Sequence, residues 1–250
     1  MANDQMNFRG YFSLLVPIYN EEKILEKNAK KILLYLKKNS FHHFDILICD
    51  NGSTDDSADI AKKLSKSNPA IKHIHTNKKG LGVGLKEGLK YSKYNNLIYY
   101  SIDLSFNLSF INDSLKILEN NAADIIIGSK GHKNSKVNRP LIRRVLSYIH
   151  NLIFNVLFGM NIKDPHGAFA FRKSDVIKFI YRLTSNDAFF QTQLLIWANE
   201  YNKRIKEVPV IASDFRSSTH NIKIEMFSIL TQLFKEYFIL LKSKYNGKKE

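Results

Sequence analysis

Three apolar runs of the chain each end in a polar side chain able to do chemistry: "LLVPIYN" in Asn20, "ILICD" in Asp50 and "NLIYYSID" in Asp103. Asp50 precedes "NGSTDD", which sets its carboxylate beside the N–H groups of a turn and a helix start. That setting suits hydrogen bonding to a base or sugar edge, and it equally suits an Asx-turn or a helix cap. Asp103 is followed two positions later by Ser105, where a second acid would complete a carboxylate pair. Against these few acids stands a basic stretch. No Asp or Glu occurs between Asp124 and Asp164, while Lys130, Lys133, Lys136, Arg139, Arg143, Arg144 and Lys163 do. Cations gathered in one segment favour phosphorylated or otherwise anionic partners.

Alternating elements must position these groups. "YFSLLVPIYN", "FDILICD", "IKHIHTN", "NLIYYSID" and "ADIIIGSK" read as five strands. Between them lie helical patterns, beginning with "EEKILEKNAKKILLYLKKN", whose Ile24, Leu25, Ile32, Leu33 and Leu36 share one face. Ser53, Thr54 or Asp55 is the expected cap of the second helix, "DSADIAKKLSK". Continuous apolar strands separated by helices predict an α/β fold with a mainly parallel sheet covered on both faces. Ligands of such sheets bind beyond the carboxyl ends of the strands, where Asn20, Asp50 and Asp103 fall. After Lys130 the sequence predicts a helix from Leu141 to Phe158, a loop "NIKDPHGAFAFR", a helix in "DAFFQTQLLIWANEYNK" and a strand in "IKEVPVI".

The 250 residues suffice for one large domain with a full core, and neither a repeat nor a linker divides them. The predicted organisation is one domain over 1–221, with an amphipathic helix and basic tail over 222–250. Cys49 is the single cysteine, which excludes an intramolecular disulfide and favours a reduced, cytoplasmic setting. "MANDQMNFRG" lacks the pattern of a secretory signal, and no window offers the roughly 18 uncharged apolar residues of a membrane span. The formal charge of +15 admits nucleic acid, an anionic membrane face or a phosphorylated substrate as partner. No nucleic-acid-binding module is evident, so nucleic acid is not an expected partner.

"KKGLGVGLKEGL" lacks the third glycine and the following acid of a dinucleotide fingerprint, so its glycines are expected to serve a tight turn and close helix packing. Neither a P-loop nor zinc-ligand spacing occurs.

In order along the chain, "LLVPIYNEEKIL", "ILICDNGSTDDS", "NKKGLGVGLKEGL", "YYSIDLSF" and "ADIIIGSK" resemble the nucleotide-sugar-binding half of family 2 glycosyltransferases of GT-A fold. Further on, "NRPLIRRVLSYIHNLIFNVLFGMNIKDPHGAFAFRK" and "KEVPVIASDFRSSTHNIK" resemble polyprenyl-phosphate sugar synthases of the dolichol-phosphate mannose synthase group. The similar segments span roughly residues 11 to 223. The resemblance implies a donor-binding half over about 11–130 and an acceptor-binding half over about 131–221. It also implies that Pro17, Tyr19, Asn20 and Glu21 line a nucleotide pocket and that Asp50 and Ser53 contact base and ribose. Asp103 matches the first acid of the metal-binding D-x-D stretch, with Asn107 as a further oxygen donor. Lys130, Arg143, Arg144, Arg216 and Lys223 match basic residues near substrate phosphates, and Asp164 matches a loop near sugar and acceptor.

The chain departs from that pattern at three positions: Ser105 replaces the second acid of D-x-D, Gln193 stands for an acid on the later helix, and Ala170 for an arginine after "GAF". Neutral Ser and Asn oxygens add no charge to hold Mg²⁺ or Mn²⁺, so the metal is expected to be weak or dispensable. The expected activity is inverting transfer of a sugar from a GDP- or UDP-sugar to a polyprenyl phosphate. An ionised phosphate acceptor needs no general base, whereas an alcohol acceptor would call on Asp164 or Asp187. Two alternatives stay open: transfer to a saccharide hydroxyl, and a non-catalytic sugar-nucleotide or lipid-binding relative.

From Ile222 to Leu241, Met226, Leu230, Leu233, Phe234, Tyr237 and Leu241 share one helical side, ahead of the basic "KSKYNGKK". That pattern fits both core packing and an interfacial anchor on the cytosolic face of an anionic membrane.

Overall fold

The computed structural model describes residues 10–138, 140–213 and 222–246, with backbone alone for Arg143, Ser213, residues 222–227 and Asn246. The first half alternates strand and helix: β1 (Phe12–Ile18), α1 (Glu22–Lys38), β2 (Phe44–Asp50), α2 (Ser57–Ser67), β3 (Ile71–His75), α3 (Leu81–Tyr91), β4 (Asn96–Tyr99), α4 (Ser109–Glu119) and β5 (Ile125–Ser129). The second half holds β6 (Lys136–Asn138), α5 (Leu141–Phe158), β7 (Ala168–Arg172), α6 (Lys173–Val176) and a 3₁₀ turn at Ile180–Arg182. It continues with α7 (Phe189–Glu200), β8 (Ile205–Pro209), β9 (Ile211–Ser213) and α8 (Ile222–Asn246).

Seven strands form one sheet in the order β3-β2-β1-β4-β7-β5-β8, and β6 pairs with β9 in a separate parallel ribbon. All pairs in the large sheet are parallel except those of β7, which runs antiparallel to β4 and to β5. Apolar residues fill both faces. One core gathers Leu14, Val16, Ile48 and Ile98 under α1, α2 and α4; the other gathers Leu15, Leu47, Leu97 and Ile127 under α3, α5 and α7.

The "GAFAFR" segment, read from sequence as a loop, is β7. Its Ala168, Phe169, Ala170 and Phe171 are all buried, because both faces of this central strand are covered. Ala170, where the family pattern carries an arginine, lies opposite Ile98 and Ile126 in the sheet interior. Arg172 fixes the far end of β7: it binds Asp124 through Nη2, Asp175 through Nε at 2.8 Å, and the Leu118 carbonyl through Nη1.

The fourth strand is shorter than "NLIYYSID" suggests. Tyr99 is its last residue, so Asp103 sits in the turn beyond it and not at the strand end itself. The expected capping of α2 also differs. Ser53 and Thr54 turn towards Asn20 instead, Asp56 is the cap residue without a side-chain bond, and Asp55 Oδ1 accepts the Ser57 N–H at 3.0 Å.

Helix α8 is partly core. Leu233 and Leu240 are buried, and its Glu236 accepts bonds from Gln193 Nε2 and Trp197 Nε1 of α7, both at 2.7 Å. Phe234 and Leu241, expected on the same side as Leu233, are exposed. Among the described residues no helix is long and apolar enough to cross a membrane.

Candidate active site

Four chain turns meet beyond the carboxyl ends of β1, β2, β4 and β5. Pro17 shows how the sheet opens there. In β1, Leu15 is the last residue registered with β4, and its carbonyl takes the Tyr100 N–H. Pro17 has the same parity and would aim its N–H at the same neighbour, but β4 has already left, so the missing donor costs nothing.

The turns after β1 and β2 are stitched together. The Asn20 N–H donates to Ser53 Oγ at 3.0 Å, the Thr54 N–H donates to Asn20 Oδ1 at 2.8 Å, and the Glu21 N–H donates to Ser57 Oγ at 2.8 Å. Asn20 takes a left-handed conformation, φ 55°, which asparagine tolerates and which turns the chain sharply out of β1. Tyr19 is left exposed, with Lys79 Nζ 5.1 Å from its ring centroid. Nothing in the sequence marks Lys79, since only the fold carries the turn after β3 back beside β1.

Asp50 is buried at the tip of β2. Its Oδ1 accepts the Ser53 N–H at 2.9 Å, and its Oδ2 accepts His75 Nδ1–H at 2.8 Å. Burial by itself raises the carboxyl's pKa, but the Ser53 and His75 bonds more than offset it, leaving Asp50 below its ordinary range and ionised. His75 is raised in turn, chiefly by its bond to Asp50 and then by Asn77 Oδ1, which faces Nε2 at 2.8 Å. His73, whose Nε2 lies 3.9 Å from Asp50 Oδ2, is lowered by burial. Neither histidine stands among the expected site residues. The signal available was the i, i+2 spacing on a strand next to β2, which puts both on one face.

Glycines let α3 approach this turn. A Cβ on Gly84 would fall 2.1 Å from Asn51 Oδ1, and one on Gly80, at φ 124°, would fall 2.0 Å from the Asn186 carbonyl. The close packing expected of these glycines is what the fold uses.

The Asp103 turn is held from several sides. Asn28 of α1 donates to the Ile102 carbonyl at 2.9 Å, the Tyr100 hydroxyl donates to the Phe106 carbonyl, and Leu104 takes φ 52°. A left-handed leucine is a strained conformation that the surrounding bonds must hold. Asp103 Oδ1 accepts the Ser105 N–H at 3.0 Å. Asn107 Oδ1 already accepts the Ile211 N–H at 2.8 Å, while its Nδ2 donates to Ser109 Oγ.

For Mg²⁺ or Mn²⁺ this turn is a poor cradle. It offers one carboxylate, one hydroxyl and an amide oxygen engaged by backbone, where a hard dication favours several charged oxygens.

Lys130, the first residue after β5, sits opposite Asp164. Its N–H donates to Asp164 Oδ2 at 2.9 Å, its Nζ lies 3.7 Å from the same oxygen and 5.3 Å above the Phe106 ring. The Phe106 ring thus joins the Asp103 turn to the Lys130 turn. Asp164 Oδ1 also accepts the His166 N–H at 3.2 Å. His166 is half-buried beside His150, ring centroids 5.0 Å apart, and desolvation pushes its pKa down to about 4. Asp187 is committed elsewhere: Oδ1 takes the Phe189 N–H, and Oδ2 takes Gln232 Nε2 at 2.9 Å.

Arg144 is exposed in the first turn of α5, one position after Arg143. Arg216 lies outside the described residues, and Lys223 is placed by its backbone alone in the first turn of α8. The structure therefore gathers Pro17, Tyr19, Asn20, Glu21, Asp50 and Ser53 at one end of the opening, with Asp103, Asn107, Lys130 and Asp164 at the other.

Related sequences and solved structures identify the family and the fold. Residues 13–180 match the family model described as glycosyl transferase family 2. The chain is 29% identical over 230 residues to the uncharacterised protein MJ1222 of Methanocaldococcus jannaschii, covering 89% of this chain and 90% of that one. It is 26% identical to the dolichyl-phosphate beta-glucosyltransferase ALG5D of Trichomonas vaginalis, over 85% of this chain and 68% of the relative. Against the glycosyltransferase AglD of Haloferax volcanii it is 23% identical over 79% of this chain but spans only 32% of that longer protein. Among solved structures, glucosyl-3-phosphoglycerate synthase from Mycobacterium tuberculosis, in complex with Mn²⁺, UDP and glucosyl-3-phosphoglycerate, superposes with TM-score 0.63 at 14% identity. That match covers 90% of this chain and 78% of the synthase. Staphylococcus aureus TarS with UDP-GlcNAc superposes with TM-score 0.58 at 17% identity, over 91% and 66%. Both neighbours share the GT-A fold. With a mainly parallel sheet of GT-A type and a family model that matches residues 13–180, most of its length, this protein is a member of the family 2 glycosyltransferases.

Proposed function

We propose that this glycosyltransferase moves a sugar from a nucleoside diphosphate donor to a polyprenyl phosphate at a membrane surface. The observation that carries the proposal is the balance of charge: the turn after β4 holds a single carboxylate, Asp103, where the family pattern has two, and the segment from Lys130 to Lys163 contains no acid at all. Two phosphate-bearing substrates need that balance. The relationship to ALG5D, named for a dolichyl-phosphate acceptor, supports the same choice.

In the proposed reaction the base and ribose rest against Asp50, Ser53 and the Tyr19–Glu21 turn. An oxygen of the acceptor phosphate attacks the anomeric carbon from the side opposite the diphosphate. The new C–O bond forms as the bond to the donor's diphosphate oxygen breaks, and the nucleoside diphosphate leaves with inverted configuration at the sugar. The acceptor is already ionised near neutral pH, so no residue must remove a proton. Lys130, Arg143, Arg144, Arg216 and Lys223 offset repulsion between the two anions and the charge that builds on the leaving group. Asp103 orients the sugar and diphosphate, and Asp164 fixes Lys130. Where Mg²⁺ or Mn²⁺ binds, Asp103 would be its charged ligand, contributing only weakly to turnover.

The acceptor's lipid also has a candidate surface. Along α5, Val145, Tyr148, Leu152 and Val156 are exposed, and α8, packed against α5, exposes Phe234, Phe238, Leu241 and Tyr245. Lys235 and Lys242 line the same groove as Phe238 and Tyr245. Apolar side chains rimmed by lysine suit peripheral insertion beneath anionic headgroups on a cytosolic membrane face.

The deciding experiment is a panel of radiolabelled UDP- and GDP-sugars, incubated with polyprenyl phosphate or with free saccharides, with and without chelator. Label entering the organic phase supports the proposal. Transfer only to saccharides supports the hydroxyl-acceptor alternative, and donor binding without transfer supports a non-catalytic relative.

A further inference from the structure

The tip of β2 and the end of β3 bring together three side chains that the transfer reaction does not need as a set. Asp50 Oδ2, a His73 ring nitrogen and a His75 ring nitrogen all lie within 4.8 Å of one another. The register explains the meeting: Asp50 pairs with His75 across the parallel ladder, and His73 precedes His75 by two residues on the same face.

Three details distinguish this cluster from a simple ion pair. His73 Nε2 is buried without a hydrogen-bond partner among the described residues, which is costly for a polar atom unless it serves a ligand. His75 turns Nδ1 to the cluster while Nε2 faces Asn77 Oδ1 at 2.8 Å, the outer contact by which metal-bound imidazoles are oriented. Asp50 has its other oxygen fixed by the Ser53 N–H at 2.9 Å. Separations of 2.8 Å from Asp50 to His75 and 3.9 Å from Asp50 to His73 bracket the value of about 3.3 Å between ligand atoms of a tetrahedral centre with bonds near 2.0–2.1 Å. Two imidazoles and one carboxylate select borderline cations such as Zn²⁺ over Mg²⁺ or Mn²⁺.

We propose that Asp50, His73 and His75 form a three-ligand site for a divalent cation of the Zn²⁺ type, and that the bound cation closes the donor pocket. The half-exposed His75 side leaves a fourth position open to water. The closure, unlike the cation site, rests on the proposal that Asp50 contacts the donor's base or ribose. With its carboxylate committed to the metal, Asp50 cannot also accept from a nucleoside.

The test is titration of the full chain with Zn²⁺ by calorimetry and with Co²⁺ by visible absorption, first alone and then with UDP or GDP present. One equivalent is expected to bind, with at least a ten-fold loss of affinity in His75→Ala and in His73→Ala. Asn77→Ala is expected to weaken binding by about ten-fold, as for other outer-shell partners. Thermal unfolding checks each variant; if His73→Ala does not fold, His75→Ala carries the decision because its ring is on the surface. Zn²⁺ affinity unchanged in His75→Ala overturns the site and leaves His75 as an orienting partner of Asp50. Zn²⁺ bound at these residues without effect on nucleotide affinity leaves the site standing and overturns both the closure and the placement of the nucleoside at Asp50.

Discussion

The backbone N–H of Ser105 donates to Asp103 Oδ1 at 3.0 Å, so the residue standing where a second acid would be holds the first one by its main chain. Leu104 between them takes φ 52°, and Asn107 beyond them is bonded to Ile211. Together with the Asn28 bond to the Ile102 carbonyl, these contacts fix the shape of the turn.

Asp103→Asn is expected to preserve this turn while removing the charge, since an amide oxygen can still accept from Ser105. Transfer should fall by at least 10²-fold with unchanged thermal stability, measured as sugar entering lipid. Activity within a few-fold of the parent would remove Asp103 from the reaction.

Most of the parent activity is expected to survive EDTA, because one carboxylate holds a hard cation weakly. Ser105→Asp restores the missing charge and should make transfer respond to added Mn²⁺. Complete chelator sensitivity of the unmodified protein, reversed by Mn²⁺, would contradict this.

Asp124 anchors β5, β7 and β8 at once by binding Arg172 and Arg204. The Arg204 side-chain bond, opposed by burial and aided by Arg172, lowers its pKa to about 2. The folded state therefore binds this proton less readily than the unfolded chain, whose aspartate titrates near 3.9. The stabilisation is fully present above about pH 4 and is lost as pH falls through about 2. Asp124→Asn should cost about 2 kcal/mol at pH 7 by urea unfolding, and the difference from the parent should shrink below pH 4.

Val156 and Phe238 are 74% and 63% exposed, so neither supports the core. Val156→Glu and Phe238→Glu together should reduce flotation with anionic vesicles several-fold and leave the melting temperature unchanged. Equal flotation of parent and variant would count against this face as the membrane contact.

The sequence by itself determined the alternation of β1 to β5 with their helices, because burial on both faces leaves continuous apolar runs and amphipathic spacing that need no knowledge of partners. It also set Asn20, Asp50 and Asp103 near the carboxyl edge of the sheet. Tertiary structure alone decided the rest. "AFAFR" is too short for its period to separate strand from loop, and only its fit between β4 and β5 makes it β7. Leu233 and Phe234 are alike in hydropathy, yet contact with α5 and α7 buries one and leaves the other in solvent. His73 and His75 meet Asp50 only through the register of β2 on β3, a pairing across 25 residues that no local pattern encodes.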